Sequence, residues 1–195
     1  MSDPLPHGAT PLDEDEAEGL IPGHITTRGE LNEWEQRNIL DAEIWLLTTT
    51  ERDVLTEPFV RLLHRKMFGD TWTWAGEFRG SNKNIGMDWQ TISIGLRDAL
   101  ADARFWQARG TFSAAEAAVR FHHRLVTVHC FPNGNGRHAR LCADFWLVTR
   151  GTSRLVWGLG LDDQGSAVRD TYIAALKAAD REDWAPLLSF VGITG

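Results

Sequence analysis

Residues 129–140 read HCFPNGNGRHAR and form a glycine-rich loop between two predicted helices. The helix before the loop opens with a capping-box pattern at Ser113, and its apolar run ends near Val128. The helix after the loop is predicted from Arg137 to about Thr149. A glycine-rich loop at a helix start presents backbone N–H groups at the positive end of the helix dipole. The stretch therefore predicts an anion-binding site.

The side chains of the same stretch suit phosphate chemistry. Arg137 and Arg140 are three residues apart on the second helix, so both guanidinium groups can face one anion. His129 stands on the other side of the loop and can take a proton near neutral pH. Singly, each feature has a commoner explanation, namely a turn, a capping or packed histidine, and surface ion pairs. Their joint spacing predicts phosphoryl-type transfer to a hydroxyl.

Working outward from the loop, the chain is predicted to form a single, mostly α-helical domain of six to eight helices with one small β-hairpin. Upstream, the helical pattern begins at Thr26–Thr27, and Thr56-Glu57-Pro58 opens a second helix that Gly69 closes. Residues 84–94 lie in a stretch rich in turn formers and alternating aromatic or β-branched residues, which is typical of a hairpin. Further helices fit residues 95–108, 163–179 and 182–191.

Residues 1–25 differ in composition from the rest of the chain. They hold four of the seven prolines, six acidic residues and no lysine or arginine. Such a segment has little apolar surface to bury, so it predicts a flexible acidic N-terminal arm ahead of a domain over residues 26–195. The acid run could bind a partner, although a solvated arm is the commoner interpretation of such a run.

Charge and hydropathy exclude some functional classes. After residue 25 the chain has 20 basic and 21 acidic residues, so it lacks the basic excess of nucleic-acid binders. No apolar run reaches the roughly 18–20 residues of a membrane span, and the acidic N-terminus does not resemble a secretory signal. Cys130 and Cys142 have neither CxxC nor zinc-finger spacing. These features predict a reduced, cytoplasmic protein without direct contact to membrane or nucleic acid.

HCFPNGNGRHAR resembles the Fic family signature, H-x-F-x-(D/E)-G-N-G-R-x-x-R, at every position except one. Residues 74–79, WAGEFR, resemble the WAG-x-(F/Y)-R segment that precedes the Fic flap. Residues 84–94 resemble the flap hairpin, which aligns a target by strand addition, and residues 171–191 are similar to the closing helices. The resemblance covers about residues 26–192. Within the family, the layout is most similar to the small bacterial group called mobile mystery protein B.

The resemblance implies a protein adenylyltransferase that transfers AMP from ATP to a Ser, Thr or Tyr hydroxyl of a target protein. His129 would deprotonate that hydroxyl as it attacks the α-phosphorus. Arg137 would bind on the β-phosphate side and Arg140 would bind the γ-phosphate. The nucleotide-binding residues implied are Gly134, Asn135, Gly136, Arg137 and Arg140.

Asn133 is the position that departs from the family signature. The family has Asp or Glu here as the ligand of Mg²⁺, which bridges the α- and β-phosphates. An Asn oxygen can ligate Mg²⁺ but brings no charge. The resemblance thus implies ATP as substrate and Mg²⁺ as cofactor, with Asn133 as an atypical metal ligand that weakens metal binding, slows transfer or changes the donor.

An inhibitory helix is also implied by the resemblance. Many Fic proteins carry a helix with the pattern (S/T)-x-x-x-E-(G/N), whose Glu pairs with the second signature arginine and blocks the γ-phosphate. Residues 26–31, TTRGEL, resemble it except for Leu31, so Glu30 is a candidate inhibitory residue that would pair with Arg140. The spacing from Thr27 to Glu30 is equally that of an ordinary capping box. Both interpretations are open at the level of sequence.

Two other functions are compatible with the same stretch. The site could serve a kinase or another nucleotidyl transfer, although the intact GNGR core favours adenylylation. Alternatively, Asn133 and the possible inhibitory helix suit a nucleotide-binding regulator or toxin–antitoxin component with little catalysis. As partners, the resemblance implies a target protein bound along the flap, a helix-turn-helix regulatory protein and, since Fic proteins often dimerise, a second copy of the chain.

Overall fold

The computed structural model describes residues 14–51, 53–158, 161 and 166–193 of the chain. In these ranges the secondary structure is helical, and none of the helices is long and apolar enough to cross a membrane. The helices are α1 (Glu14–Ala17), α2 (Arg28–Thr48), α3 (Glu57–Phe68), α4 (Ile92–Arg109), α5 (Ala114–Val128), α6 (Asn135–Thr149), α7 (Ala167–Ala179) and α8 (Ala185–Phe190). The seven helices α2–α8 form the domain, in agreement with the predicted fold class apart from the hairpin.

Capping side chains fix where the long helices start. Thr27 Oγ1 accepts a hydrogen bond from the Glu30 N–H at 3.2 Å, and Glu30 Oε2 accepts one from the Thr27 N–H at 3.0 Å. Thr56 and Ser113 cap α3 and α5, each accepting the backbone N–H three residues later. Such caps satisfy N–H groups that have no partner within the helix. The predicted starts of these three helices are confirmed.

The core forms mainly where α5 packs against α4 and α6, and where α2 packs against α3. Val60, Leu63, Leu96 and Phe121 are completely buried there. Burial of each such side chain stabilises the fold by about 1.5–3 kcal/mol. A smaller apolar cluster around Leu187 joins α7 and α8 to α5. The loop between α5 and α6 is therefore held at both ends by buried helices.

Both thiols of the chain lie in this interior. Cys130 and Cys142 are buried and form no disulfide. Burial raises the pKa of the Cys130 thiol to about 12 and raises the pKa of the Cys142 thiol as well. Both sulfur atoms are thus neutral thiols at physiological pH.

The predicted β-hairpin at residues 84–94 is wrong. Among the described residues the only ladder contact is an isolated bridge between Leu20 and Trp72, and no strand forms. Asp88 instead caps a 3₁₀ turn at Trp89–Thr91, and α4 begins directly afterwards. Asn82 Oδ1 accepts the Trp89 N–H at 2.9 Å. Side chains satisfy the backbone here, so no partner strand is needed.

Residues 14–25, which composition assigns to a flexible arm, lie against the folded body. Leu20 forms the bridge with Trp72, and Ile25 is buried in the core. A few apolar side chains in an otherwise acidic stretch provide this contact, and average composition does not show them. The rest of the predicted arm, residues 1–13, lies outside the described residues.

Candidate active site

Asn135 holds the glycine-rich loop in shape. Its Oδ1 accepts the Phe131 N–H at 2.9 Å, and its Nδ2 donates to the Phe131 carbonyl at 2.7 Å. The buried carboxamide is therefore occupied within the loop, and the group that Asn135 can offer a phosphate is its backbone N–H. Gly134 has φ 76°, and a Cβ there would lie 2.5 Å from the Phe68 ring, so only glycine fits.

The first turn of α6 is the place where an anion would bind. The first N–H groups of a helix lack partners within it, and they carry the positive end of its dipole. Arg140 lies over the same turn, since its Nη1 is 3.8 Å from the position of a Cβ on Gly136. The Arg140 guanidinium carbon also lies 5.9 Å from the centre of the Tyr172 ring on α7. The backbone donors and the second arginine therefore lie at the same turn, and their binding of one anion stays a prediction.

Arg137, the first arginine, is held in an ion pair with Glu35 on α2. Arg137 Nη2 donates to Glu35 Oε2 at 2.7 Å, and Trp72 Nε1 donates to Glu35 Oε1 at 2.7 Å. Glu35 is only 2% exposed, and the Arg137 guanidinium carbon lies 5.0 Å from the centre of the Phe68 ring. These contacts fix the orientation of Arg137 and neutralise part of its charge.

Sequence reasoning missed Glu35, although a signal was available. Glu35 shares one face of α2 with the buried residues Leu31, Asn38, Ala42 and Leu46. These positions recur every three or four residues, as the core-facing side of a helix does. An acidic residue on such a face needs a buried partner, because an unpaired charge is costly to remove from water.

His129 ends α5 and is almost enclosed. It adopts the left-handed conformation with φ 54° and ψ 61°, and its N–H donates to the Leu125 carbonyl. The residue is 4% exposed. Burial, and next the positive charge of Arg79, lower the pKa of His129 to about 4. Its imidazole is therefore neutral at pH 7, and its role as a proton acceptor stays a prediction.

The segment from residue 79 to 88, here called the cover loop, lies over His129. Arg79 Nε donates to the His129 carbonyl at 2.7 Å, and Nη1 donates to the Ser81 carbonyl at 2.7 Å. Arg79 Nη2 donates to the Met87 carbonyl at the far end of the loop. A Cβ on Gly86 would stand 2.4 Å from His129 Cβ, so the backbone of Gly86 rests directly on the histidine.

His64 joins the glycine-rich loop to the segment before the cover loop. The Gly76 N–H donates to His64 Nδ1 at 3.0 Å, so Nε2 carries the proton and donates to the Asn133 carbonyl at 3.1 Å. The His64 ring stacks on Phe131 with centroids 3.7 Å apart. Burial lowers the pKa of His64 well below its usual value, which keeps the ring neutral. No sequence pattern indicated this role.

The residues present do not fit a Mg²⁺ ion held by protein carboxylates. Asn133 Oδ1 accepts the Gly134 N–H at 2.7 Å, and its amide carries no charge. In the described part of the chain, no group of three or more His, Cys, Asp or Glu residues could hold a metal ion. Asn133 supplies an amide rather than a carboxylate, and its role as a metal ligand stays a prediction.

Glu30 and Arg140 are not brought together. Glu30 Oε2 accepts the backbone N–H groups of Thr26 at 2.9 Å and Thr27 at 3.0 Å. These backbone hydrogen bonds, that of Thr26 most, lower the pKa of Glu30. Of the two interpretations of residues 26–31, the structure has the capping box, and the predicted inhibitory pair is not formed.

Comparison with known proteins agrees with the fold and the loop. Residues 54–147 match the sequence model of the Fic/DOC family. The chain is 26% identical over 149 residues to protein adenylyltransferase fic-1 of Caenorhabditis elegans, covering 74% of this chain and 28% of that protein. The Caenorhabditis briggsae fic-1 is 26% identical over 133 residues, 66% of this chain and 25% of its own length. The chain thus spans only about a quarter of these curated relatives.

Solved structures show the same fold. Residues 134–508 of Fic-1 from C. elegans superpose with a TM-score of 0.67 at 24% identity, covering 90% of this chain and 51% of that one. BepC, a VirB-translocated effector of Bartonella tribocorum with bound AMPPNP, superposes with a TM-score of 0.68 at 16% identity. That match covers 92% of this chain and 96% of BepC. We conclude that residues 54–147 belong to a Fic/DOC family domain by sequence and that the described helices have the fold of solved Fic structures.

Proposed function

We propose that this chain is a protein adenylyltransferase that transfers AMP from ATP to a Ser, Thr or Tyr hydroxyl of a target protein. The observation that carries the proposal is the meeting of a neutral histidine, a glycine-rich helix start and a buried arginine where α5 joins α6. These groups are His129, Gly134 to Gly136, and Arg140. The similarity to proteins named adenylyltransferases and to a Fic structure with bound AMPPNP supports the reaction and the donor.

The loop and the arginines bind the triphosphate in this proposal. Backbone N–H groups of Asn135 and Gly136 donate to the α- and β-phosphates, and the Gly134 N–H joins them by leaving Asn133 Oδ1. Arg140 binds the γ-phosphate from its place over the first turn of α6. Arg137 approaches the β-phosphate side while Glu35 holds its guanidinium in position. Donors fixed in advance need no rearrangement when charge develops, and for that reason they favour the transition state.

His129 acts as the general base. The target hydroxyl oxygen attacks the α-phosphorus while the imidazole takes the hydroxyl proton. The bond from the α-phosphorus to the oxygen that bridges it to the β-phosphate breaks, and pyrophosphate leaves with that electron pair. AMP stays on the target as a phosphodiester. The bound triphosphate is negative and so raises the pKa of His129 from its value in the free protein, which makes it a better base.

Magnesium enters this proposal with the substrate, as the Mg²⁺ complex of ATP. We assign no step to an ion held by protein carboxylates, because Asn133 supplies none. A second candidate function, a nucleotide-binding regulator with little turnover, is favoured by the same residue and by the enclosure of His129.

The test uses the purified full chain with ATP labelled separately at the α- and γ-phosphates. A lysate supplies candidate targets, and label on protein is read on a gel. The variants are His129→Ala and, as a matched control, His24→Ala at an exposed histidine. Label from the α-phosphate alone, lost in His129→Ala and kept in His24→Ala, is the expected result.

The other outcomes contradict the proposal in different ways. Label from the γ-phosphate would make the protein a kinase. Nucleotide binding by calorimetry without label from either position would favour the regulator.

A further inference from the structure

We propose that Glu16 latches the cover loop over His129 through its ion pair with Lys83, and so holds the enzyme in a resting state. This inference rests on the proposed function, because only a catalytic His129 gives the enclosure a consequence. The segment involved, residues 14–20, is called the latch segment below.

Because His129 is enclosed, the cover loop must move before a target hydroxyl can reach the imidazole. A general base must come within roughly 3 Å of the hydroxyl that it deprotonates. His129 is 4% exposed, and the backbone of Gly86 lies directly on its Cβ. A hydroxyl on another protein therefore reaches the imidazole only after the cover loop has moved outward.

The ion pair fixes the middle of the cover loop to the latch segment. Lys83 Nζ contacts Glu16 Oε2, and the two side chains are only 1% and 13% exposed. A buried ion pair resists opening, because separating it leaves a charge away from water and without its partner. Lys83 also lies close enough to His129 for its positive charge to lower the pKa of the histidine, which places the pair beside the base.

The latch segment is itself anchored to residues just before the cover loop. Trp74 Nε1 donates to the Glu16 carbonyl at 2.9 Å. A Cβ on Gly19 would lie 2.6 Å from Trp74 Cδ1, and Leu20 bridges to Trp72. The latch segment thus contacts Trp72 and Trp74, just before the cover loop, through its backbone. It contacts Lys83, in the middle of the cover loop, through the Glu16 side chain.

Several residues of the cover loop are exposed to solvent. Asn82, Asn84, Ile85 and Asp88 are exposed, and no ladder of strands holds the loop. Segments with few buried contacts open at low free energy. Arg79 donates to the His129 carbonyl and to the Met87 carbonyl, so the two ends of the loop stay together while its middle moves once Lys83 is released.

The experiment compares the full chain with Glu16→Gln and with Glu18→Gln, a matched control at an exposed carboxylate two residues away. Two readouts do not depend on catalysis: amide hydrogen exchange in residues 79–88, and carbethoxylation of His129 by diethyl pyrocarbonate, located by mass spectrometry. We expect Glu16→Gln to accelerate both about tenfold, as loss of a buried ion pair lowers the free energy of local opening. Glu18→Gln should match the wild type.

Exchanging the charges of Glu16 and Lys83 tests whether faster exchange in Glu16→Gln comes from loss of the ion pair or from misfolding. The double variant Glu16→Lys/Lys83→Glu restores an ion pair, and protection of His129 should return to within about twofold of the wild type. Equal protection in Glu16→Gln, Glu18→Gln and wild type would overturn the latch.

Transfer of labelled AMP separates the latch from the proposed function. Faster transfer by Glu16→Gln than by Glu18→Gln supports both. If Glu16→Gln shows faster hydrogen exchange and carbethoxylation but no AMP transfer, the latch is supported and the proposed adenylyltransferase activity is contradicted. If Glu16→Gln and Glu18→Gln transfer AMP at equal rates and protect His129 equally, the adenylyltransferase activity is supported and the latch is contradicted.

Discussion

Asn135 and His64 both use their side chains to hold the glycine-rich loop rather than to meet a ligand. Spacing within residues 129–140 predicts that His129 and the two arginines lie at one site, because they are local to one loop and one helix. It does not predict the contacts of His64 with Asn133 and of Glu35 with Arg137, which join residues 69 and 102 positions apart in the chain. Contacts over such separations depend on the whole fold.

Replacement of His64 tests its place beneath the loop. His64→Ala removes two buried hydrogen bonds and the stacking on Phe131, so the free energy of unfolding should fall by about 2–4 kcal/mol. Urea unfolding followed by tryptophan fluorescence measures it, with His24→Ala as the control at an exposed site. A loss as small as that of the control would mean that His64 contributes little to the loop.

At the scale of elements, helix starts were predictable and the cover loop was not. The side chains of Thr27, Thr56 and Ser113 each accept a backbone N–H three residues later. This capping is a local interaction, so the sequence is enough to predict where these helices start. The alternation in residues 84–94 is also local, but a strand needs a partner strand. Asn82 and Asp88 satisfy the backbone there instead.

The capping box of α2 gives a prediction that separates a cap from an inhibitor. Thr27→Ala should lower the free energy of unfolding by about 1 kcal/mol, because the Glu30 N–H loses its acceptor. Glu30→Gly should leave the rate of AMP transfer unchanged, since Glu30 does not contact Arg140. Thermal unfolding and the labelled-ATP assay measure the two effects. A several-fold faster transfer by Glu30→Gly would restore the inhibitory interpretation.

For the whole molecule, the buried histidines predict how stability depends on pH. Burial lowers the pKa of His129 and of His138 to about 4, whereas an unfolded histidine has a pKa of about 6.5. Between these values the unfolded chain binds more protons than the folded chain. Stability is therefore complete above pH 6.5 and is lost as the pH falls toward 4, by at most about 2.7 kcal/mol per pH unit from these two residues.

Denaturant unfolding at several pH values from 7.5 to 4.5 measures this loss. His138→Gln removes one of the two sites and should make the slope shallower by up to about 1.4 kcal/mol per pH unit. A constant free energy of unfolding between pH 6.5 and 5 would contradict the burial of neutral histidines.

The burial of Cys130 and Cys142 has a practical consequence at this scale. A maleimide reacts with thiolate at an accessible sulfur, and neither native sulfur meets that condition. The folded protein therefore does not react with thiol reagents, and its two native cysteines need not be replaced before labelling. A single cysteine placed at exposed Ile85 would be the one reactive position, so a fluorophore there would report the opening of the active site in real time.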